Sequence, residues 1–172
     1  IFDVATGRRT DVGWDLESFP YLARVVWTES APPTLLVQTR DQRTARVLEV
    51  DETTGATRIV REDTDPDWIE LIPGSPARLS DGTLVTTADS EDTRRLVVGE
   101  SPVTPSGLQV LSILDAGDDV LFAATDADGS DIDRRSGDAS AAATWGRRDR
   151  SVLRRTRLMS GCAIRRPWRS TT

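Results

Sequence analysis

Short alternating runs of apolar and polar residues dominate the first three quarters of the chain, and this pattern predicts β-strands. Residues 21–27 form a β-branched and aromatic run, and further strands are predicted at 34–40, 44–50 and 57–61. The segments between these runs carry turn-forming residues, among them Ser-Ala-Pro-Pro at 30–33. Four strands within about 40 residues have the length of one blade of a β-propeller.

The same pattern returns twice in weaker form. A second set of strands is predicted at 77–79, 83–87 and 94–98, and a third at 108–114 and 120–124. No stretch of the sequence sustains the apolar spacing of an amphipathic helix together with its caps. The sequence therefore predicts an all-β fold, a partial β-propeller of about three blades, which are too few to close a ring.

Charge divides the chain near residue 133. The 172 residues carry 22 basic and 28 acidic side chains, for a net charge of −6, and every basic residue is an arginine. Residues 1–133 hold all but two of the acidic side chains, whereas residues 134–172 hold half of the arginines and few branched apolar residues. We therefore predict a partial propeller at 1–133 and an arginine-rich, irregular or disordered tail at 134–172.

Three interpretations of the tail remain open. The arginines could bind nucleic acid or an anionic membrane through phosphate contacts. The segment could instead be solvated and without a role, because it has few apolar groups to offset the entropy of ordering. The third and favoured interpretation is translation out of frame, because a GC-rich gene read out of register yields Arg, Ala, Gly, Ser, Pro and Trp in irregular order, as in this segment. The lack of lysine and asparagine in the whole chain indicates such a GC-rich, bacterial gene. Nucleic acid is not an expected partner, because no recognition motif is present.

The composition also excludes several kinds of site. Without histidine, the chain cannot form a Ser-His-Asp or Cys-His site or a histidine-ligated zinc site. Its single cysteine, Cys162, rules out an internal disulfide and is not expected to be a nucleophile. No apolar run is long enough to span a membrane. The chain begins at Ile1, so we expect its native start to be missing, and the compartment stays open, with the cytoplasm favoured.

Three segments together resemble a known family. Residues 20–27 (PYLARVVW), 47–58 (VLEVDETTGATR) and 62–71 (EDTDPDWIEL) are similar, in order and spacing, to the N-terminal propeller of dipeptidyl-peptidase-IV-like serine peptidases of the prolyl oligopeptidase superfamily. Residues 90–91 and 110–125 fit the following two blades, so that the resemblance covers roughly residues 1–132.

The resemblance implies a propeller followed by an α/β-hydrolase domain that releases N-terminal dipeptides, with proline or alanine preferred at the second position. In the family the catalytic triad lies in the hydrolase domain, and paired glutamates of an earlier propeller segment bind the amino terminus of the substrate. This chain has neither the hydrolase domain, nor a G-x-S-x-G elbow, nor two adjacent glutamates.

We therefore expect a non-catalytic propeller fragment, inactive by itself, that gates and positions short peptides only in the context of a full-length enzyme. The alternative is an independent propeller-type binding module with a basic tail. We assign no catalytic, cofactor-binding or metal-binding residue and no cofactor, and the oligomeric state is left open.

Acidic segments could be taken for sites, but each has a simpler interpretation. Residues 126–133 partly match a calcium loop, yet Ala124 occupies the first ligand position and the final glutamate is absent, so a polar turn is expected. The acidic residues within 62–67 are expected to form a solvated connection rather than an acid/base pair. Asp115, Asp118 and Asp119 are expected to be turn residues.

Two further groups receive structural interpretations. The loop 89–96 aligns with a loop of the family, but Thr93 and Arg95 depart from its usual residues, so a role toward substrate is not expected. Trp14, Trp27 and Trp68 could form a stacking surface for a ligand. The favoured interpretation places all three tryptophans in the core between blades.

Overall fold

The computed structural model describes residues 1–90, 92–126 and 132–138. Within these residues all regular structure is β, with eleven strands in three antiparallel sheets and no helix. By its internal contacts the chain forms two compact units, Ile1–Leu71 and Ile72–Thr172. The predicted all-β class is confirmed.

The first unit contains a four-stranded sheet whose spatial order follows the sequence. Its strands are β1 (Tyr21–Thr28), β2 (Ala31–Gln38), β3 (Thr44–Val50) and β4 (Thr57–Thr64). Each strand pairs antiparallel with the next. These are the four strands that the alternating pattern predicts, and β1 and β4 are the two edges of the sheet.

The prediction of a turn at residues 30–33 is wrong in part. The turn consists of Glu29 and Ser30 only, and β2 already begins at Ala31. The register shifts beside Trp27, so that Pro32 and Pro33 together lie opposite this one residue. Proline cannot donate a ladder hydrogen bond, and a bulge against an edge strand is one of the few places in a sheet that accept it.

One face of this sheet carries the core of the first unit. The buried side chains are Phe19, Leu35, Val37, Leu48 and Val50, and Ile1, Val12 and Trp14 pack against them. Segment 1–20, which precedes β1, therefore covers this face of the sheet. Leu48 and Val50 both lie on it, as their alternation along β3 predicts. The Arg46 guanidinium lies 4.2 Å from the centre of the Phe19 ring.

Residues 1–10 form a small hairpin, and its turn has the same hydrogen-bond pattern as the turn between β3 and β4. Phe2 and Arg9 form its antiparallel bridge. In both turns, residues 3–7 (DVATG) and 51–55 (DETTG), the aspartate carboxylate accepts hydrogen bonds from two following backbone N–H groups. The glycine that ends each turn has a positive φ, 72° and 75°, and donates to the aspartate carbonyl.

The second unit contains the other two sheets. One has the strands β5 (Ala77–Arg78), β6 (Leu84–Ser90), β7 (Thr93–Val98) and β8 (Ser101–Pro102), in that order. The other consists of β9 (Leu108–Ala116), β10 (Asp119–Asp126) and β11 (Ile132–Asp138), with β10 in the centre. Neither β8 nor β11 is predicted by the sequence pattern.

The two sheets of the second unit share one hydrophobic core. Strands β5 and β7 contact β9, and the buried side chains come from both sheets. The central members are Leu79, Val85, Leu96, Leu108, Val110, Ile113, Val120, Phe122 and Ala124. A blade buries its faces against its neighbours, and these two sheets follow that rule.

The predicted boundary between residues 133 and 134 falls inside β11, which pairs with β10 along its whole length. The rest of the predicted tail, residues 139–172, lies outside the residues that the structure describes. In the described part of the chain, no helix is long and apolar enough to cross a membrane.

Candidate functional site

An open groove lies at one end of the first sheet, where two turns come together. Its volume is about 840 Å³, and it is lined by residues 27–32, 49–52 and 56–58. The turn between β1 and β2 supplies one wall and the connection between β3 and β4 supplies the other. The meander brings these two segments together because both turns lie at the same end of the sheet.

The groove is acidic. Glu29, Glu49, Asp51 and Glu52 contribute carboxylates, and Arg58 is the one basic residue of its lining. Glu49 and Arg58 are opposite each other in the register of β3 and β4 and form an ion pair. Glu29, Asp51 and Glu52 are exposed, whereas Glu49 is half-buried.

Hydrogen bonds fix the conformation of the wall between β3 and β4. The Asp51 carboxylate accepts hydrogen bonds from the backbone N–H groups of Thr53 and Thr54, at 2.8 and 3.0 Å. The N–H groups of Thr54 and Thr53 hold the pKa of Asp51 below its ordinary value, because they stabilise the charged form. Asp51 is therefore ionised well into the acidic range, and the groove keeps this negative charge.

The N-terminal segment supports the same wall from behind. The N–H of Gly13 donates to the carbonyl of Gly55 at 3.0 Å, and the Thr57 hydroxyl donates to the carbonyl of Gly13 at 2.8 Å. Gly55 lies so close to Asp11 that a Cβ there would be 1.9 Å from the Asp11 carbonyl oxygen. The turn can hold this position only with glycine.

The three tryptophans have different environments. Trp14 packs against the core of the first unit and donates its Nε1–H to the carbonyl of Phe19 at 3.1 Å, which agrees with the predicted core role. Trp27 and Trp68 are 55% and 58% exposed, so the core prediction is wrong for both. Trp27 lies on the edge strand β1 and lines the groove, whereas Trp68 lies after β4 in the connection to the second unit.

The acidic residues within 62–67 do not form an acid/base pair. Glu62 is paired with Arg46, and Asp63 with Arg61 through two hydrogen bonds of 2.7 Å. Asp65 accepts hydrogen bonds from the backbone N–H groups of the two residues that follow Pro66. The carboxylates of Glu62, Asp63 and Asp65 therefore make structural contacts. The predicted connection is wrong for Glu62 and Asp63, because both belong to β4, which ends at Thr64.

The loop 89–96 forms the hairpin between β6 and β7, and Glu91 lies outside the described residues. Asp89 pairs with Arg94 at 3.1 Å. The Arg95 guanidinium donates to the carbonyl of Thr104 at 2.7 Å, and the N–H of Leu96 donates to the Thr104 hydroxyl at 3.0 Å. These contacts tie the hairpin to the segment after β8 and support the structural role.

The remaining candidates lie in or beside the turn between β9 and β10, or are not described. Asp115 lies within β9 and Asp119 begins β10, so the turn prediction is wrong for these two residues, and only Asp118 lies in the tight turn between the strands. Most of the calcium-loop candidate, residues 127–131, and Cys162 lie outside the described residues. In the part of the chain that is described, no group of three or more acidic or cysteine side chains is arranged to hold a metal ion.

Comparison with known proteins finds a family model that matches most of the chain and a solved structure with a similar fold. A family model described as the dipeptidyl peptidase IV N-terminal region matches residues 1–125. No curated protein matches the chain. Among solved structures, a protein from Bacteroides ovatus described as a dipeptidyl aminopeptidase IV is similar, with 16% sequence identity and a TM-score of 0.62. The similarity covers 81% of this chain and 24% of that one, so the chain spans about a quarter of the similar protein.

Proposed function

Because the chain belongs to the family of dipeptidyl peptidase IV N-terminal regions, we propose that it is a non-catalytic propeller portion of a dipeptidyl-peptidase-IV-like serine exopeptidase. The family match over residues 1–125 is the observation that carries this proposal. The partial-propeller fold supports it. The lack of histidine supports the absence of catalysis, since a Ser-His-Asp triad cannot be assembled from these residues.

In a full-length enzyme, this portion would help to build the chamber through which short, extended peptides reach the hydrolase domain. The chamber would admit peptides by their size and would orient them, which lowers the entropic cost of reaching the reactive geometry. This portion of the enzyme would therefore position the peptide rather than cleave a bond. The sheets of the propeller serve as rigid walls for this task. The residues that cleave the peptide belong to a domain for which this sequence has no counterpart.

The alternative function is an independent propeller-type binding module with a basic tail. The acidic groove and the exposed Trp27 favour this alternative, because both features are accessible in the chain by itself. Gel filtration with light scattering separates the two functions. A discrete oligomer that unfolds cooperatively supports the module, whereas aggregates or a poorly folded monomer support the fragment.

The direct test is an assay of the purified chain with alanyl-prolyl and glycyl-prolyl chromogenic dipeptides. We expect no turnover above the buffer rate, because the chain contains no triad. Robust turnover that a serine-peptidase inhibitor abolishes would overturn the proposal. An active dipeptidyl peptidase, assayed in parallel, serves as the positive control for the substrates.

A further inference from the structure

Strand β1 carries a row of exposed apolar side chains. Leu22, Val25 and Trp27 are 46%, 53% and 55% exposed. Leu22 lies opposite Val37 and Val25 opposite Leu35, so the row is on the face of the sheet that also holds the core of the first unit. Single exposed apolar residues are common, but a row of three along an edge strand is typical of an interaction surface.

The acidic groove begins where this row ends. Trp27 belongs to both, and the exposed carboxylates of Glu29 and Glu52 lie on the two turns that form the groove walls. The carboxylates of the groove do not converge on a metal site among the described residues. Spread carboxylates next to an exposed indole ring match a large, delocalised organic cation better than a metal ion.

We propose that this surface, defined by Leu22, Val25, Trp27, Glu29 and Glu52 and called the β1 surface, binds an extended peptide that contains arginine. The arginine side chain enters the groove, where its planar guanidinium stacks on Trp27 and its N–H groups reach the carboxylates. Apolar side chains of the peptide lie along Leu22 and Val25. The choice of ligand rests on charge complementarity, since acidic residues outnumber basic ones in the groove.

This inference goes beyond the proposed function and does not depend on it. The β1 surface belongs to the first unit alone, and it recognises a side chain rather than the amino terminus of a substrate. An N-acetylated peptide therefore tests it without any contribution from recognition of an amino terminus. Cleavage of that peptide would count against the proposed function, whereas lack of binding would count against the β1 surface.

The probe is a fluorescein-labelled, N-acetylated decapeptide with one arginine next to alternating valine and threonine. Its twin carries citrulline in place of the arginine, which removes the charge and keeps the shape. Fluorescence anisotropy with the full chain is expected to show saturable binding of the arginine peptide and about fivefold weaker binding of the citrulline twin. The preference for arginine is expected to shrink as the salt concentration rises.

Matched variants locate the binding site. Trp27→Ala and the double variant E29Q/E52Q are expected to abolish the preference for arginine over citrulline. Trp68→Ala removes an equally exposed tryptophan elsewhere, and E17Q/E100Q removes the same number of charges from exposed positions outside the groove. Both control variants are expected to keep the preference. Unchanged circular dichroism confirms that each variant is folded.

Three results of the peptide experiments would overturn the proposal, and so would one result without peptide. One is the absence of saturable binding, and another is equal affinity for the arginine and citrulline peptides. The third is a preference that survives E29Q/E52Q or is lost equally in E17Q/E100Q. A concentration-dependent dimer that Trp27→Ala dissolves, without any bound peptide, would assign the β1 surface to a second copy of the chain and also overturn the proposal.

Discussion

Gly55→Ala tests how the groove wall is held against the N-terminal segment. Gly55 has a φ of 75°, and a Cβ at this position would lie 1.9 Å from the carbonyl oxygen of Asp11. Contacts of a real Cβ are essentially never shorter than 3.0 Å, so the backbone around Asp11 would have to move by more than an ångström. We expect this substitution to destabilise the first unit strongly.

The size of the effect follows from two contributions. Placing alanine in the left-handed region costs about 1–2 kcal/mol. The shift of the N-terminal segment would weaken the Gly13–Gly55 and Thr57–Gly13 hydrogen bonds, at about 0.5–1.5 kcal/mol each. Together these give about 2–5 kcal/mol, a large share of the stability of a typical domain.

Gly7→Ala is the matched control, because Gly7 ends the same kind of turn. Its φ is 72°, and an added Cβ would meet nothing within 4 Å. This variant should therefore show only the cost of the left-handed conformation, about 1–2 kcal/mol. The difference between the two variants isolates the close approach of Asp11.

The measurement is urea unfolding followed by tryptophan fluorescence, because three of the five tryptophans, Trp14, Trp27 and Trp68, lie in the first unit. Gly55→Ala should lower the midpoint clearly more than Gly7→Ala while the slope with urea stays the same. Equal midpoints for the two variants would refute the reasoning, since the clash with Asp11 would then have no energetic consequence.

Three further predictions concern buried polar groups, the core and acid sensitivity. T104V should lower the free energy of unfolding by about 1–3 kcal/mol, because the buried N–H of Leu96 loses its acceptor. Urea titration followed by circular dichroism measures this loss, since Thr104 lies in the second unit. T86V should be neutral or stabilising, since the buried Thr86 hydroxyl has no partner within the described residues, and a loss like that of T104V would contradict this account. Phe122→Ala should cost about 3–5 kcal/mol, measured in the same way, because the side chain is fully buried, and a cost below about 1 kcal/mol would contradict its core role. Folding lowers the pKa of Asp51 below its ordinary value of 3.8. Ionised Asp51 therefore stabilises the fold fully when the pH is above 3.8, and this stabilisation is lost as the pH falls through the lower pKa of the folded state. Asp51→Asn should reduce the acid-induced fall of the urea midpoint without removing it, because Asp3, Asp15, Asp41 and Asp81 also have a lowered pKa. An unchanged fall would refute the assignment to Asp51.

The alternating pattern predicts most strands because each strand has its own local signal. Residues 44–50 form β3 as predicted, and Leu48 and Val50 face the core of the first unit while Glu49 pairs with Arg58 on the other face. The pattern misses β8, since two residues are too short to alternate. It also misplaces the start of β2, because Pro32 and Pro33 indicate a turn in the sequence but occupy a bulge in the sheet.

The groove could not be predicted from the sequence, because it depends on tertiary neighbours. Its walls come from residues 27–32 and from residues 49–52 and 56–58, which are brought together only by the pairing of the strands in the sheet. The same limit explains why the core prediction for Trp27 is wrong. A tryptophan in a β-branched run indicates a buried strand, but β1 is an edge of its sheet, and the sequence does not say which strand lies at the edge.

Labelling with a fluorophosphonate probe tests most directly the proposal that this chain is a propeller portion without catalytic chemistry. Such probes form a covalent bond with an activated serine, and intact-protein mass spectrometry measures the product. We expect no added mass on the purified chain under conditions that label an active serine peptidase completely. Stoichiometric labelling of one serine, prevented by prior denaturation, would contradict it.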